Sequence, residues 1–456
     1  MFLPLIDWFG DDEVAEIFSE RSLVRAWLDV ERALAATQAA LGLIPVEAAA
    51  AIERAAVPES IDLHALRSRT LVVGYPILPL LEQIGDRSPD VARHVHWGAT
   101  TQDIMDTGLA LLAGRAFDRI DVLVQAVGDE LSARADAHRS TVMPGRTHAQ
   151  PAVPIAFGGK LAVWLAELTR HLERLRAARA RLAVVQLFGA AGTAAALGTE
   201  SRAIRHGVAD RLGLGVVDVP WHAARDSVAE AGLVVAGTAG TCGKLAKEVI
   251  ELSRPELGEV REVAGHLRGA SSTMPQKANP IDSEAVVGLS ILAAQQSGAL
   301  LAALQGTHER AAGEWQAEWD ALPLAFAATA GALGGTLRLM RGLRVFPERM
   351  RANLDVDGGL LMAEAAMMAL APFVGRAGAH ASVTEASSLA RDEGITLRAA
   401  LERTLDSETA AALPPLDEIL DPAAYLGETD SIVSAAIEAW SAIKAPSPPE
   451  AGRAPP

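Results

Sequence analysis

The sequence predicts an all-helical fold, and three observations carry that expectation. Half of the 456 residues are apolar, yet only 4% are aromatic. Much of the apolar content is Ala and Leu, which are strong helix formers, while the β-branched and aromatic runs that strands need are scarce. Five stretches, 103–139, 151–183, 224–268, 281–307 and 316–342, are long, Ala/Leu-rich and mostly free of proline. At 1.5 Å per residue, stretches of about 25–45 residues run roughly 40–65 Å, longer than the average globular helix.

Along the chain, residues 13–42 place Val14, Ile17, Phe18, Val24, Leu28, Leu34 and Leu41 at roughly helical spacing, and Gly42 and Pro45 end that helix. Residues 61–95 are broken by Gly74, Pro76, Pro79 and Pro89, so short helices in a small domain are expected there. The five long stretches then read as a bundle. Ala229, Gly232, Ala236 and Ala239 fall at three- and four-residue steps and share one face, which allows close helix approach. So much Ala/Leu surface is a liability on a monomer, so burial in an oligomer is expected. After Pro347 a helical region runs to about 405, Pro414–Pro422 punctuates it, and a last helix spans about 428–443. The Pro/Ser/Ala-rich tail 445–456 is expected to be disordered. The length is too great for one compact core and implies two or three domains.

The net charge of −16 and the lack of a Lys/Arg cluster argue against a nucleic-acid partner. The single cysteine, Cys242, cannot form an intrachain disulfide. Met1–Pro4 lacks the basic and apolar regions of a signal peptide. No apolar stretch approaches the roughly 20 residues of a membrane span. A cytoplasmic protein without membrane contact is expected.

Three polar islands interrupt the Ala/Leu background, and chemistry is expected there. The first is His96-Trp97-Gly98-Ala99-Thr100-Thr101-Gln102-Asp103, which offers two hydroxyls and backbone N–H groups just before a long helix. Such a helix start receives carboxylates; a plain capping loop around Asp103 is the alternative. The second is Gly145-Arg146-Thr147-His148-Ala149-Gln150-Pro151, with Pro151 suited to the first turn of the next helix and Thr147, His148 and Gln150 in the loop entering it. Histidine is the natural proton-transfer group near neutral pH. The third runs from Gly269 to Pro280 and includes Ser271, Ser272, Lys277 and Asn279, with Glu284 on the helix that follows. Its small residues suit a mobile loop, and Lys277 and Asn279 suit a carboxylate. Phe188–Thr193 lacks the ending of a phosphate loop, and a substrate-contacting turn and close packing both fit it. Although His94 and His96 invite a metal reading, no further ligands accompany them; no metal, dinucleotide or other cofactor is expected.

Ser271-Ser272-x-Met274-Pro275-x-Lys277-x-Asn279-Pro280 resembles the signature of the fumarase/aspartase superfamily, and the other two islands are similar to its remaining active-site regions, in the same order. The likeness runs from about residue 8 to 443. It implies an N-terminal small domain over 1–102, a central five-helix domain over 103–346 and a C-terminal helical domain over 347–444. It also implies a homotetramer with a twenty-helix core, each active site drawing the three islands from three subunits. By this resemblance Ser271 is the base and His148 handles the leaving group or a substrate oxygen, while Glu284 orients His148. Thr100, Thr101 and Gln150 bind carboxylates of a small anionic di- or tricarboxylate, with Ser272, Lys277, Asn279 and His96 as further substrate contacts. Fixed donors of this kind stabilise the aci-carboxylate dianion that forms when a proton next to a carboxylate is removed.

Within the superfamily, adenylosuccinate lyases carry polar nucleotide-binding residues where this chain has Trp8-Phe9, Trp315, Trp319 and the region Gly74-Tyr75-Pro76. Gly74–Pro79, His308–Arg310, Met350–Asp355 and Asp421–Gly427 resemble instead the 3-carboxy-cis,cis-muconate cycloisomerase branch. That branch implies lactonisation of a carboxymuconate. Some of its members have a bulky residue in place of His148 and a histidine in place of Pro151, so this chain keeps an arrangement more usual in C–N and C–O lyases. A C–N lyase releasing fumarate from an adenylosuccinate-like, amino- or nitro-succinate is therefore the alternative. A crystallin-like structural protein is the alternative of another class; the presence of Ser271, Lys277, Asn279, His148 and Glu284 speaks against it.

Overall fold

Helices form where the Ala/Leu stretches predict them in a computed structural model, which describes residues 2–263, 269, 273–274 and 277–444. The five stretches form the helices Thr101–Ala137, Phe157–Leu182, Asp226–Leu252, Ile281–Ala303 and Glu314–Gly342. Among the described residues, strands are confined to two antiparallel pairs, β1 (Val142–Thr147) with β2 (Gln150–Ala156) and β3 (Val260–Arg261) with β4 (Arg344–Val345). The tail 445–456 lies outside the described residues.

Several expected boundaries move, each for a local reason. The helix expected over 13–42 divides into Asp12–Ile17 and Glu20–Ala40. Ser19 interrupts it by accepting the Ser22 N–H at 3.2 Å as a new N-cap. Pro151 does not open the second long helix, because residues 150–156 pair with 142–147 as a β-hairpin and the helix begins at Phe157. A two-stranded ribbon has two free edges, so Pro144, Pro151 and Pro154 are accommodated without breaking a central ladder. The third long helix stops at Leu252 rather than continuing to 268; Pro255 disfavours helical backbone at Arg254, and Gly258 turns the chain at φ 63°.

The chain divides into two compact units. One comprises residues up to 124, 171–243 and 285–335; the other comprises 125–170, 244–284 and 336 onward. In the first, helix Glu20–Ala40 packs Val24, Trp27 and Leu28 into a core with Ile52, Ile77, Leu80, Ile84, Ile104 and Trp315. Each large apolar side chain buried this way contributes about 1.5–3 kcal/mol. The small-residue face of the third long helix serves close approach: a Cβ at Gly232 would lie 2.2 Å from Leu300 Cδ1. In the second unit, Leu354, Leu361, Met362, Leu370, Val383, Leu397 and Leu401 form the core, and Val142 of β1 packs against it.

One expectation is corrected. Ile281–Ala303, Glu314–Gly342 and Leu360–Glu393 are long and apolar enough to cross a membrane by length and composition. No uninterrupted apolar run marks them in the sequence; Ala- and Leu-rich helices with few charges reach the same average hydropathy. In Glu314–Gly342, 67% of the most apolar window is buried inside the fold.

Candidate active site

The first island sits in the first unit. Thr100 precedes the helix that starts at Thr101, and its N–H donates to Asp103 Oδ2 at 3.1 Å. Asp103 is fully buried, and its oxygens also accept the N–H groups of Phe188 (3.0 Å) and Gly189 (2.9 Å) and contact His222 Nε2 at 2.8 Å. With these partners its carboxylate is satisfied, so Asp103 has the capping role and also ties down the Phe188–Thr193 turn. Arg310 links that turn to the first island: its Nη2 donates to Ala190 O (3.2 Å) and to Thr100 Oγ1 (3.0 Å). Arg310 Nε is buried and has no partner among the described residues. A guanidinium thus stands beside the Thr100 hydroxyl with donor capacity to spare, a fit for a planar carboxylate.

Beneath this patch lies a buried polar network. Asp106 accepts from Arg225 Nη1 (2.8 Å) and Nη2 (3.1 Å), from Gln102 Nε2 (3.1 Å) and from Trp315 Nε1 (3.1 Å). Arg225 also pairs with Glu318. Burial opposes the Arg225 charge, but the Asp106 charge and the Glu318 hydrogen bond outweigh it and hold its pKa above the ordinary range. Glu318 is pushed upward by burial, which exceeds the opposing pull of Arg225, since one cation is shared by two carboxylates. Trp315, Trp319 and Tyr75 pack together here, with the two indoles edge-on at 5.2 Å.

His96 adopts φ 62°, and its Nδ1 lies 2.6 Å from Oε1 of the buried Glu31. Burial of the ring disfavours its charge, but the Glu31 carboxylate and its hydrogen bond, with Asp103 nearby, raise the pKa above the usual histidine value.

The second island is the tip of the β1–β2 hairpin in the second unit. His148 and Ala149 form its two-residue turn, both left-handed, at φ 49° and 62°. Positive φ at both turn positions is the type I′ arrangement that suits a twisted hairpin and usually takes Asn or Gly. Carrying His-Ala there costs on the order of 1–3 kcal/mol per residue, strain that tends to persist at functional sites. Thr147, His148 and Gln150 are all exposed at the tip. Behind it, Arg146 donates to both oxygens of the buried Glu259, at 2.9 and 2.6 Å, and Asn353 Nδ2 donates to Glu259 Oε1 at 2.8 Å.

The third island lies in the second unit and is described in part. Ser271 and Ser272 lie outside the described residues. Asn279 N–H donates to Gly269 O at 2.9 Å, and Gly269 has φ 69°. Lys277 is exposed. Glu262 caps the following helix, accepting the N–H groups of Asp282 (3.2 Å) and Ser283 (2.9 Å) and the Ser283 hydroxyl (2.5 Å). Glu284 is exposed on the first turn, and among the described residues no hydrogen bond joins it to His148 within the chain.

His96, Thr100 and Thr101 are therefore brought together, as are Thr147, His148 and Gln150 at the hairpin tip. Glu31, Glu259 and the Arg225 network are not evident from motif spacing, and Arg310 is visible only as part of the run His308–Arg310, with no role attached. Arg310 meets Thr100 across 210 positions and Glu31 meets His96 across 65.

Residues 10–294 match the family described as Lyase, and residues 359–436 match the adenylosuccinate lyase C-terminus. The chain is 39% identical over 431 residues to the 3-carboxy-cis,cis-muconate cycloisomerase of Pseudomonas aeruginosa, covering 94% of each protein. It is 37% identical to the nitrosuccinate lyase of Streptomyces davaonensis, covering 92% of this chain and 91% of that one. The crystal structure of the 3-carboxy-cis,cis-muconate lactonizing enzyme from Pseudomonas putida superposes with a TM-score of 0.90 at 37% identity, over 97% of this chain and all of that one. The chain belongs to this lyase family, the fumarase/aspartase superfamily, and is an enzyme of the lyase superfamily.

Proposed function

We propose that this enzyme is a 3-carboxy-cis,cis-muconate cycloisomerase of aromatic catabolism, cytoplasmic and independent of metal or organic cofactors. The observation that carries the reading is its likeness to the Pseudomonas aeruginosa cycloisomerase over 94% of both chains. In this reaction one carboxylate oxygen adds to an alkene carbon β to a second carboxylate. The C–O bond forms, the π pair moves onto that second carboxylate as an aci-dianion, and a proton is delivered to the carbon between them. Ser271, acting as acid in this direction and base in reverse, supplies the proton. Lys277, Asn279 and Ser272 hold the dianion. Thr100, Thr101, Gln150 and His96 bind the remaining carboxylates, and Arg310, bonded to Thr100, joins them.

The three-domain division at 102/103 and 346/347 and the homotetramer belong to the same reading. His148 at an exposed tip and Glu284 on an exposed helix start suit partners on other copies, so Glu284 orients His148 across a subunit boundary.

A second reading has its own support. His148 with Pro151 is the arrangement more usual in C–N and C–O lyases, and the nitrosuccinate lyase is 37% identical. The deciding experiment incubates the purified protein with 3-carboxy-cis,cis-muconate, nitrosuccinate and adenylosuccinate and follows ultraviolet absorbance. Loss of the conjugated diene in the first, without fumarate from the others, is expected. Fumarate release from nitrosuccinate with the diene untouched would replace the cycloisomerase with the lyase.

A further inference from the structure

Behind the first island, helix Glu20–Ala40 carries polar side chains in positions that a purely structural helix would fill with apolar ones. Glu31 and Gln38 are seven residues apart and lie on one face. Each is only 1% exposed. Gln38 Nε2 donates to Trp97 O at 2.8 Å, and Glu31 Oε1 sits 2.6 Å from His96 Nδ1. One helix face therefore grips two consecutive residues of the loop, one by its carbonyl and one by its ring. A carboxylate with no exposed side-chain surface is costly to bury unless it is paired. The second oxygen of Glu31 has no partner among the described residues, so His96 is its described counter-charge. His96 in turn is held at φ 62°, which a residue other than glycine rarely adopts.

We propose that Glu31 is a positioning residue of the carboxylate site, fixing the His96 ring and keeping both its nitrogens protonated so that Nε2–H serves as a charged donor to a substrate carboxylate. The inference rests on the reading of the first island as a carboxylate site. Nδ1–H is committed to Glu31, and Nε2 has no partner among the described residues, while 18% of the side chain is exposed at the loop. The charged groups acting on the ring are Glu31, from helix Glu20–Ala40, and Asp103, from the first long helix; both favour its charge and outweigh its burial. Asp103 is engaged by Thr100, Phe188, Gly189 and His222, which leaves Glu31 as the group dedicated to His96.

Glu31→Gln keeps the size and one acceptor but removes the charge, and Glu31→Asp keeps the charge on a shorter arm. Steady-state kinetics with 3-carboxy-cis,cis-muconate across pH are combined with NMR titration of the His96 ring in the free full-length enzyme. In Glu31→Gln the His96 midpoint should fall below that of the wild type. KM should rise by about tenfold above neutral pH, the difference between a charged and a neutral hydrogen bond, with kcat changed by less than about twofold. Glu31→Asp should recover part of both effects. An unchanged His96 midpoint, or a KM profile in Glu31→Gln identical to wild type, would overturn the proposal. So would an equal fall in kcat and kcat/KM with the midpoint unmoved, which marks a purely structural contact. If the wild type leaves the carboxymuconate untouched, the function proposed above fails, and the NMR midpoint of the same proteins still decides whether Glu31 holds the proton.

Discussion

In the proposed function Ser271 carries the proton, and its replacement is expected to separate binding from proton transfer. Ser271→Ala removes one hydroxyl and little volume, so the fold should persist by circular dichroism. Its kcat should fall by about 10²–10⁴-fold, the usual contribution of a general acid–base group, while KM changes little. Near-normal kcat would move the role to His148, and Ser272→Ala, the control, should be milder. Arg310 should behave in the opposite sense. Arg310→Ala removes a charged donor beside Thr100 and should raise KM by roughly 10–100-fold, equivalent to about 1.5–3 kcal/mol, with a smaller effect on kcat. The Glu31–His96 pair also predicts a pH-dependent stability. The folded pKa of His96 is raised, so its contribution is fully present below the unfolded value of about 6.5 and is lost as pH rises through the folded value. The melting-temperature gap between wild type and Glu31→Gln should be wider at about pH 6 than at about pH 9; a gap that widens with pH would contradict the pairing. Motif spacing exposes Thr100, His148 and Lys277 because each stands in a short polar run. Arg310 stands in the run His308–Arg310, which marks the branch but assigns the residue no role, and Glu31 lies in a helical run whose periodicity already explains it; only tertiary contact joins them to the island.

At the scale of elements, the long helices were legible because Ala and Leu recur over more than twenty residues with a single proline among the five, Pro323 in Glu314–Gly342. The β1–β2 hairpin was not. Its turn carries His-Ala where Asn-Gly would announce a hairpin, and three prolines lie in its strands. The hairpin is oriented through the Arg146–Glu259–Asn353 cluster rather than through a long sheet. Glu259→Ala leaves the partly buried Arg146 without its carboxylate and should cost about 3 kcal/mol in chemical denaturation. It should also lower activity by misplacing His148. A stability loss below about 0.5 kcal/mol, the range of ordinary surface substitutions, would show that the hairpin is held by other contacts.

At the scale of the whole molecule, the islands divide between the two units: His96, Thr100 and Thr101 belong to one, and His148, Gln150, Lys277, Asn279 and Glu284 to the other. Small-residue helix faces foretold close packing, but a sequence carries no direct mark of which copy a face meets. Complementation tests most directly whether the islands make one site only across copies. Ser271→Ala and His148→Asn proteins, each expected to be strongly impaired alone, are mixed, dissociated and reassembled, and turnover of 3-carboxy-cis,cis-muconate is measured. If the two residues of one site come from different subunits, random assembly rebuilds up to about a quarter of the sites with both residues intact. Activity approaching that fraction of wild type is the predicted result. Reassembled mixed oligomers with no activity above that of the separate variants would contradict the shared site.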